Sequence, residues 1–174
     1  REYWKTEDFR EVIVYDLEQL EQGSRKTESI LQSDVVTNVV EQVERCRNGE
    51  GFRDVFVTAS TGSGKSAMFQ IPAIYLAEKY DLFTIVKKQE IIEDIEKGEC
   101  NILYISPESL MGKSDLIQII GNRKLGLLVI DEANIVTTWG KQFRPDYWYL
   151  GDHVMKLRKS QQKREGMQFV IATF

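Results

Sequence analysis

Residues 55–73 read VFVTASTGSGKSAMFQIPA, and no other stretch restricts the fold as tightly. A β-branched run, a loop with glycines at 62 and 64, and then Lys65-Ser66 opening an apolar helical pattern form the strand–loop–helix setting that a phosphate-binding P-loop requires. Glycines let the backbone amides turn inward around an anion, and the following helix adds its positive N-terminal end. In that geometry Lys65 reaches the β and γ phosphates of a nucleotide, and the Ser66 hydroxyl takes a Mg²⁺ position. Ser60, Thr61, Gly62, Ser63 and Gly64 line the cradle. The strict pattern opens with glycine, whereas this chain has Ala59, which adds one methyl group at the strand end. A glycine-rich turn that binds nothing leaves Lys65 without a purpose.

A P-loop demands a sheet to stand on, and the rest of the chain supplies one. Apolar β-rich runs at 54–58, 82–86, 102–105, 127–130 and 168–172 alternate with helical patterns at 33–46, 66–80, 89–97 and 114–120. That alternation predicts an α/β fold, a mostly parallel sheet with helices on both faces, and the near-continuous Val, Ile, Leu and Phe content fits strands covered on both sides. At 174 residues and 42% hydrophobic side chains, one substantial core and a single domain are expected. Residues 1–25 read as an N-terminal arm or edge element, helical or extended, and 26–174 as the nucleotide-binding domain. After Val86 the chain passes straight into KKQEIIEDIEKGE, which leaves almost no room for a loop.

Composition narrows the chemistry. The net charge of −4 means that any contact with an anionic polymer has to come from local patches. Cys46 and Cys100 lack CxxC spacing and His153 is the only histidine, so buried thiols in a reducing compartment are expected, with no metal cage or disulfide framework. No apolar run approaches the ~20 residues that span a bilayer, and the first residues lack a signal-peptide pattern. The chain reads as soluble and intracellular, cytoplasmic or with the nucleoid or nucleus. Its start without Met and its apolar end, FVIATF, suggest a piece of a longer protein.

In GLLVIDEAN an apolar strand ends on Asp131 and Glu132. Carboxylates at the C-terminal edge of a parallel strand face the crevice where ligands bind. With a P-loop in the same domain, Asp131 is expected to hold Mg²⁺ and Glu132 to orient or deprotonate the water that attacks the γ phosphate. Just beyond lies TTWGKQFRPDYWY at 137–149, which crowds five rings and two cations against one acid. Rings at this spacing can be core, since Phe143 and Tyr147 lie one helical turn apart. They also match what single-stranded nucleic acid needs, stacking surfaces interleaved with cations. The expected division gives Trp139, Phe143 and Arg144, with Lys141, to nucleic-acid sensing, and Tyr147, Trp148 and Tyr149 to packing. A second basic stretch, MKLRKSQQKR at 155–164, reads as a solvated helix face, with a phosphate-backbone contact as the alternative.

Together, ASTGSGKS and DEAN resemble the first motor lobe of superfamily 2 helicases, the DEAD/DEAH-box group with RecA-like domains. FQIPA, YISPESL and above all WGKQFRPDY resemble the RecQ-type continuation of motif I, the YxxPERL segment and the aromatic-rich loop WGHDFRPxY. The resemblance implies a RecA-like fold, ATP and Mg²⁺ as ligands, single-stranded DNA or a duplex junction as partner, and a second RecA-like lobe that supplies an arginine finger. It further implies that Gln32 reads adenine, although a plain helix-start glutamine fits the residues as well, and that a helix and a strand are missing between Val86 and Lys87. Departures mark where the motor is in doubt: Asn134 for the last His of DEAH, Thr138 and Lys141 in the loop, Ser29 for an arginine, and Ile171 for the first hydroxyl of motif III.

The expected function is thus the ATP-binding lobe of a RecQ-like DNA helicase. A nucleotide-gated scaffold that binds DNA or protein with a weakened ATPase is the alternative. A P-loop kinase or GTPase leaves the aromatic loop unexplained.

Overall fold

The computed structural model describes residues 8–16, 22–87, 101–105, 123–131 and 145–174. In chain order the elements are β1 (Glu11–Tyr15), β2 (Thr27–Leu31), α1 (Gln32–Arg47), β3 (Val55–Phe56), α2 (Lys65–Tyr80), β4 (Leu82–Lys87), β5 (Ile102–Ile105), β6 (Lys124–Ile130), α3 (Pro145–Glu165) and β7 (Val170–Thr173). Five strands form one sheet in the order β3-β7-β6-β4-β5, with every pairing parallel. The expected α/β architecture follows. The expected helices at 89–97 and 114–120, and Cys100, lie outside the described residues, while Cys46 is buried.

Two apolar layers sandwich the sheet. On one face Val35, Val39 and Val43 of α1 and Met68, Phe69 and Leu76 of α2 pack on Leu127, Val129, Val170 and Ala172. On the other, Val154 and Leu157 of α3 meet Phe83, Ile85, Leu125, Leu128 and Phe169. Leu125 and Leu127 stand two apart and would share a face in a regular strand. They face opposite layers because the β4–β6 register shifts between Phe83 and Thr84, and Gly126 takes up the extra position. Only glycine fits there, since a Cβ on residue 126 would lie 2.9 Å from Leu82 Cβ.

The inward side of α3 is unusual. From 151 onward its buried or half-buried positions are 153, 154, 157, 158 and 161, a helical spacing, yet two of the fully buried ones are Arg158 and Gln161. Gln161 Oε1 accepts the Leu125 N–H at 3.2 Å and its Nε2 donates to the Leu125 carbonyl at 2.8 Å. β7 pairs with β6 only from Leu127 onward, so the amide side chain stands in for the strand that Leu125 lacks. Arg158 Nε donates to the Phe169 carbonyl at 3.0 Å, and its other nitrogens hold the Asp54 carboxylate. The guanidinium lies between the Phe52 and Phe169 rings. Of the five cations at 155–164, Arg158 therefore departs from the expected solvated face, while Lys156, Lys159, Lys163 and Arg164 conform to it.

Near the N-terminus, β1 and β2 pair antiparallel from Glu11↔Leu31 to Tyr15↔Thr27. This ties the expected arm to residues beyond position 25. The free edge of β1 meets the chain just past β3: Val14 bridges Ala59, and the Thr58 hydroxyl donates to the Tyr15 carbonyl at 3.1 Å. The hairpin thus borders the strand that enters the P-loop. At the doubtful junction β4 runs unbroken through Val86 and Lys87, the latter paired with Ile105 and Ile130.

Candidate active site

The strand order sets the site. β3, β7 and β6 are neighbours and parallel, so the chain leaving β3, Thr173 of β7 and Asp131 after β6 share one edge of the sheet. One strand separates the P-loop strand from the Asp131 strand, which puts their backbones about 10 Å apart at the usual inter-strand spacing.

The loop from Ala59 to Gly64 folds as a tight cradle. The Ser63 N–H donates to the Ser60 carbonyl at 3.3 Å, and Gly62 and Gly64 take left-handed φ of 84° and 77°. Gly64 caps α2, Lys65 is its first residue and Ser66 its second. The first turn of a helix leaves amides without intrahelical acceptors, so the loop leads into a ready anion-binding end. Ser60, Thr61 and Ser66 are exposed, and Ser63 and Lys65 half-buried. Ser63 Oγ and Thr173 Oγ1 are buried without a hydrogen-bond partner among the described residues. Orphaned hydroxyls of this kind are uncommon and fit an edge built for polar ligand atoms.

Asp131 is half-buried, directly after Ile130, whose carbonyl accepts the Phe174 N–H at 3.0 Å. Glu132, Asn134, Trp139, Lys141, Phe143 and Arg144 lie outside the described residues. Ile171 packs toward the α3 layer, and its N–H donates to Asp54 Oδ1 at 2.9 Å. Gln32, 6% exposed, contacts the P-loop directly. Its Nε2 donates to the Ser63 carbonyl at 2.9 Å, while its Oε1 accepts the Arg10 N–H at 3.0 Å. An adenine base would compete with these partners for the same amide. The contribution of Arg10 and of the hairpin was not legible beforehand, because TESIL lacks the alternation of a recognisable strand.

The two loop glycines differ in surroundings. A Cβ on Gly64 would lie 2.5 Å from Gln32 Nε2, whereas one on Gly62 would meet open space. Gly62→Ala is expected to cost about 1–2 kcal/mol from the left-handed backbone alone. Gly64→Ala carries the same strain and also displaces Gln32, so it should lower the thermal midpoint further and weaken nucleotide binding more. Differential scanning of both variants beside nucleotide titration checks this ranking.

Comparison with known proteins agrees with the motifs. A family model described as DEAD/DEAH box helicase matches residues 31–87, from the end of β2 through the P-loop to β4. The chain is 32% identical to the ATP-dependent DNA helicase Q5 of Rattus norvegicus over 59% of its length, which is 14% of that relative. It is 29% identical to the ATP-dependent DNA helicase RecQ of Haemophilus influenzae over 64% of its length and 22% of the relative. It is 28% identical to the ATP-dependent helicase SGS1 of Saccharomyces cerevisiae over 55% of its length and 9% of the relative. The chain thus corresponds to less than a quarter of each of these proteins. The matched P-loop segment, the parallel sheet beneath it and the RecQ-type relatives agree: over the part of the chain that carries the P-loop, the sequence is similar to RecQ-like DEAD/DEAH box helicases.

Proposed function

We propose that this lobe binds ATP with Mg²⁺ at the shared edge of β3, β7 and β6, and that in the full-length protein it couples hydrolysis to translocation on single-stranded DNA and unwinding. The observation that carries the reading is the P-loop cradle at Gly62–Ser66, one strand away from Asp131. Lys65 would hold the phosphate chain, with the amides that open α2. Ser66 and Asp131 would hold the metal. Two oxygen donors suit Mg²⁺, which takes few protein ligands and fills its shell with phosphate oxygens and water. When bound, Mg²⁺ supplies charge neutralisation across the β and γ phosphates. Glu132 would orient the attacking water. Trp139, Phe143, Arg144 and Lys141 would contact DNA, with Asn134 between them and the carboxylates. A loop so close in sequence to Asp131 and Glu132 can report DNA occupancy to them by a shift between two arrangements.

A second RecA-like lobe of the longer chain would close over the nucleotide. Among the described residues no helix is long and apolar enough to cross a membrane. The setting proposed is wherever the cell keeps its DNA.

One observation favours the scaffold as a second reading. Ile171 lies where the resemblance implies a hydroxyl, and it packs into the α3 layer. ATPase assays of the full-length protein with and without single-stranded DNA separate the two. The motor predicts a rate raised at least about tenfold by DNA, abolished turnover with retained binding in Glu132→Gln, and lost stimulation with retained ATP binding in Trp139→Ala. Binding without turnover selects the scaffold, and turnover indifferent to DNA overturns both.

A further inference from the structure

The outward side of α3 carries a charge pattern that the ATP site does not use. Opposite the inward stripe of Val154, Leu157, Arg158 and Gln161, helical spacing lines Lys156, Lys159 and Lys163 along one crest. Ser160, Gln162 and Arg164 flank them, all exposed, and no acid lies between Asp152 and Glu165. None of Lys156, Lys159, Lys163 and Arg164 forms an ion pair among the described residues. Cations on other elements do meet acids: Lys26 stands near Asp16 and Glu28, Arg45 near Glu50, and Lys79 Nζ lies 3.0 Å from Glu44 Oε1. Only the turn at 166–169 links α3 to the start of β7, so Lys163 and Arg164 lie toward the sheet edge opposite Asp131, and the crest runs away from the nucleotide.

This pattern opposes helix stability. Like charges three and four residues apart repel, so Lys156 with Lys159 and Lys159 with Lys163 work against the fold, where a solvated face gains by alternating them with acids. The helix macrodipole favours cations only in the last turn, which accounts for Lys163 and Arg164 and leaves Lys156 and Lys159 unexplained. A ligand with regularly spaced negative charge offsets the repulsion. In a chain of net charge −4, four unopposed cations on one helix face are the local patch that an anionic polymer needs. From Lys156 to Lys163 the crest covers about 10 Å, the rise of about three phosphates on one DNA strand. What the face lacks selects the polymer. Residues 151–165, GDHVMKLRKSQQKRE, hold no Phe, Tyr or Trp, so an unpaired base finds no such ring to stack on. Lysine, serine and glutamine side chains suit phosphate oxygens instead, and a duplex keeps its bases stacked inside with that backbone outward.

We infer that the outward face of α3 is a contact for the phosphate backbone of duplex DNA, with Lys156, Lys159 and Lys163 at its centre. The contact is independent of base sequence and adds a hold on the duplex still to be opened. It rests on the proposed DNA-translocating function for the choice of polymer.

The test measures binding of the full-length protein to a blunt DNA duplex and to a single strand of the same sequence, without nucleotide and over a range of salt. Lys156→Gln, Lys159→Gln and Lys163→Gln combined remove the charge and keep good helix formers on the crest. The triple variant is expected to bind duplex at least about tenfold more weakly at low salt. The slope of log affinity against log salt should fall by about 2–3, as the loss of three phosphate contacts implies. Single-strand affinity and ATPase stimulated by single-stranded DNA should stay within about twofold, with an unchanged or higher thermal midpoint. Duplex affinity and slope like those of the wild type overturn the inference and leave the face solvated. An equal loss for single strand and duplex overturns it as well, because the face then follows any phosphate chain. If the unmutated protein shows no ATPase stimulated by single-stranded DNA while the variant still loses duplex affinity, the motor reading fails and the inference stands.

Discussion

Asp54→Ala is expected to destabilise the fold by roughly 2–3 kcal/mol, since it strips the carboxylate from a guanidinium that is almost wholly shielded from water. The loss falls below the full cost of breaking a buried pair because Asp54 is itself partly exposed. Arg158 is only 8% exposed, and its nitrogens are shared between Asp54 and the Phe169 carbonyl. Asp54 also accepts the Ile171 N–H at 2.9 Å, so its loss leaves that N–H of β7 without its acceptor on the β3 side. The converse change should be milder. In Arg158→Met the apolar stem still fills the space between Phe52 and Phe169, and the orphaned Asp54 side chain, 45% exposed, can rehydrate. The double variant Asp54→Ala with Arg158→Met should recover most of the loss, since it leaves no charge shielded from water without a partner. Urea unfolding of the three variants measures the order. A smaller loss for Asp54→Ala than for Arg158→Met would show that the pair is not what fastens α3 to the sheet.

That same pair explains why α3 was hard to read. Its inward positions keep helical spacing, but Arg158 and Gln161 occupy two of them, so an apolar periodicity search finds only Val154 and Leu157. Where burial is purely apolar, legibility was high: Ile102–Ile105 and Lys65–Tyr80 fall within a residue of expectation. β3 shrinks from an expected five residues to Val55–Phe56, because its partner β7 begins only at Val170 and reaches it through Ala172 and Thr173 alone. The bulge at Gly126 was likewise invisible, since a glycine in an apolar run signals nothing about which neighbour needs the room. At the candidate site, local sequence was enough to single out the glycine-rich loop after β3 and Asp131 after β6, because each is marked by its own neighbours in the chain. It did not reveal the hairpin rung at Arg10, which depends on a residue twenty-two positions away and on a backbone N–H that carries no sequence mark.

The P-loop lysine should show opposite effects on binding and on stability. Lys65 is the first residue of α2, half-buried, and makes no ion pair among the described residues. A cation at a helix N-terminus opposes the macrodipole, so Lys65→Ala should leave the fold unharmed or more stable by about 0.3–1 kcal/mol. Nucleotide binding should collapse instead. Helix-end amides carry about half a charge between them, whereas a full charge 4 Å from a phosphate is worth about 4 kcal/mol at an effective dielectric of 20, close to a thousandfold. Lys65→Ala is therefore expected to lower ATP affinity at least about a hundredfold and to remove hydrolysis by the full-length protein, with an unchanged or higher thermal midpoint. Lys65→Arg should not restore it, because a planar fork cannot enter a cradle shaped for a compact ammonium. Calorimetric titration with ATP and Mg²⁺ beside thermal unfolding gives both quantities. A residue that costs stability and is required for binding is held in place by its ligand, and a Lys65→Ala variant that binds ATP as well as the wild type would remove the phosphate site from this loop.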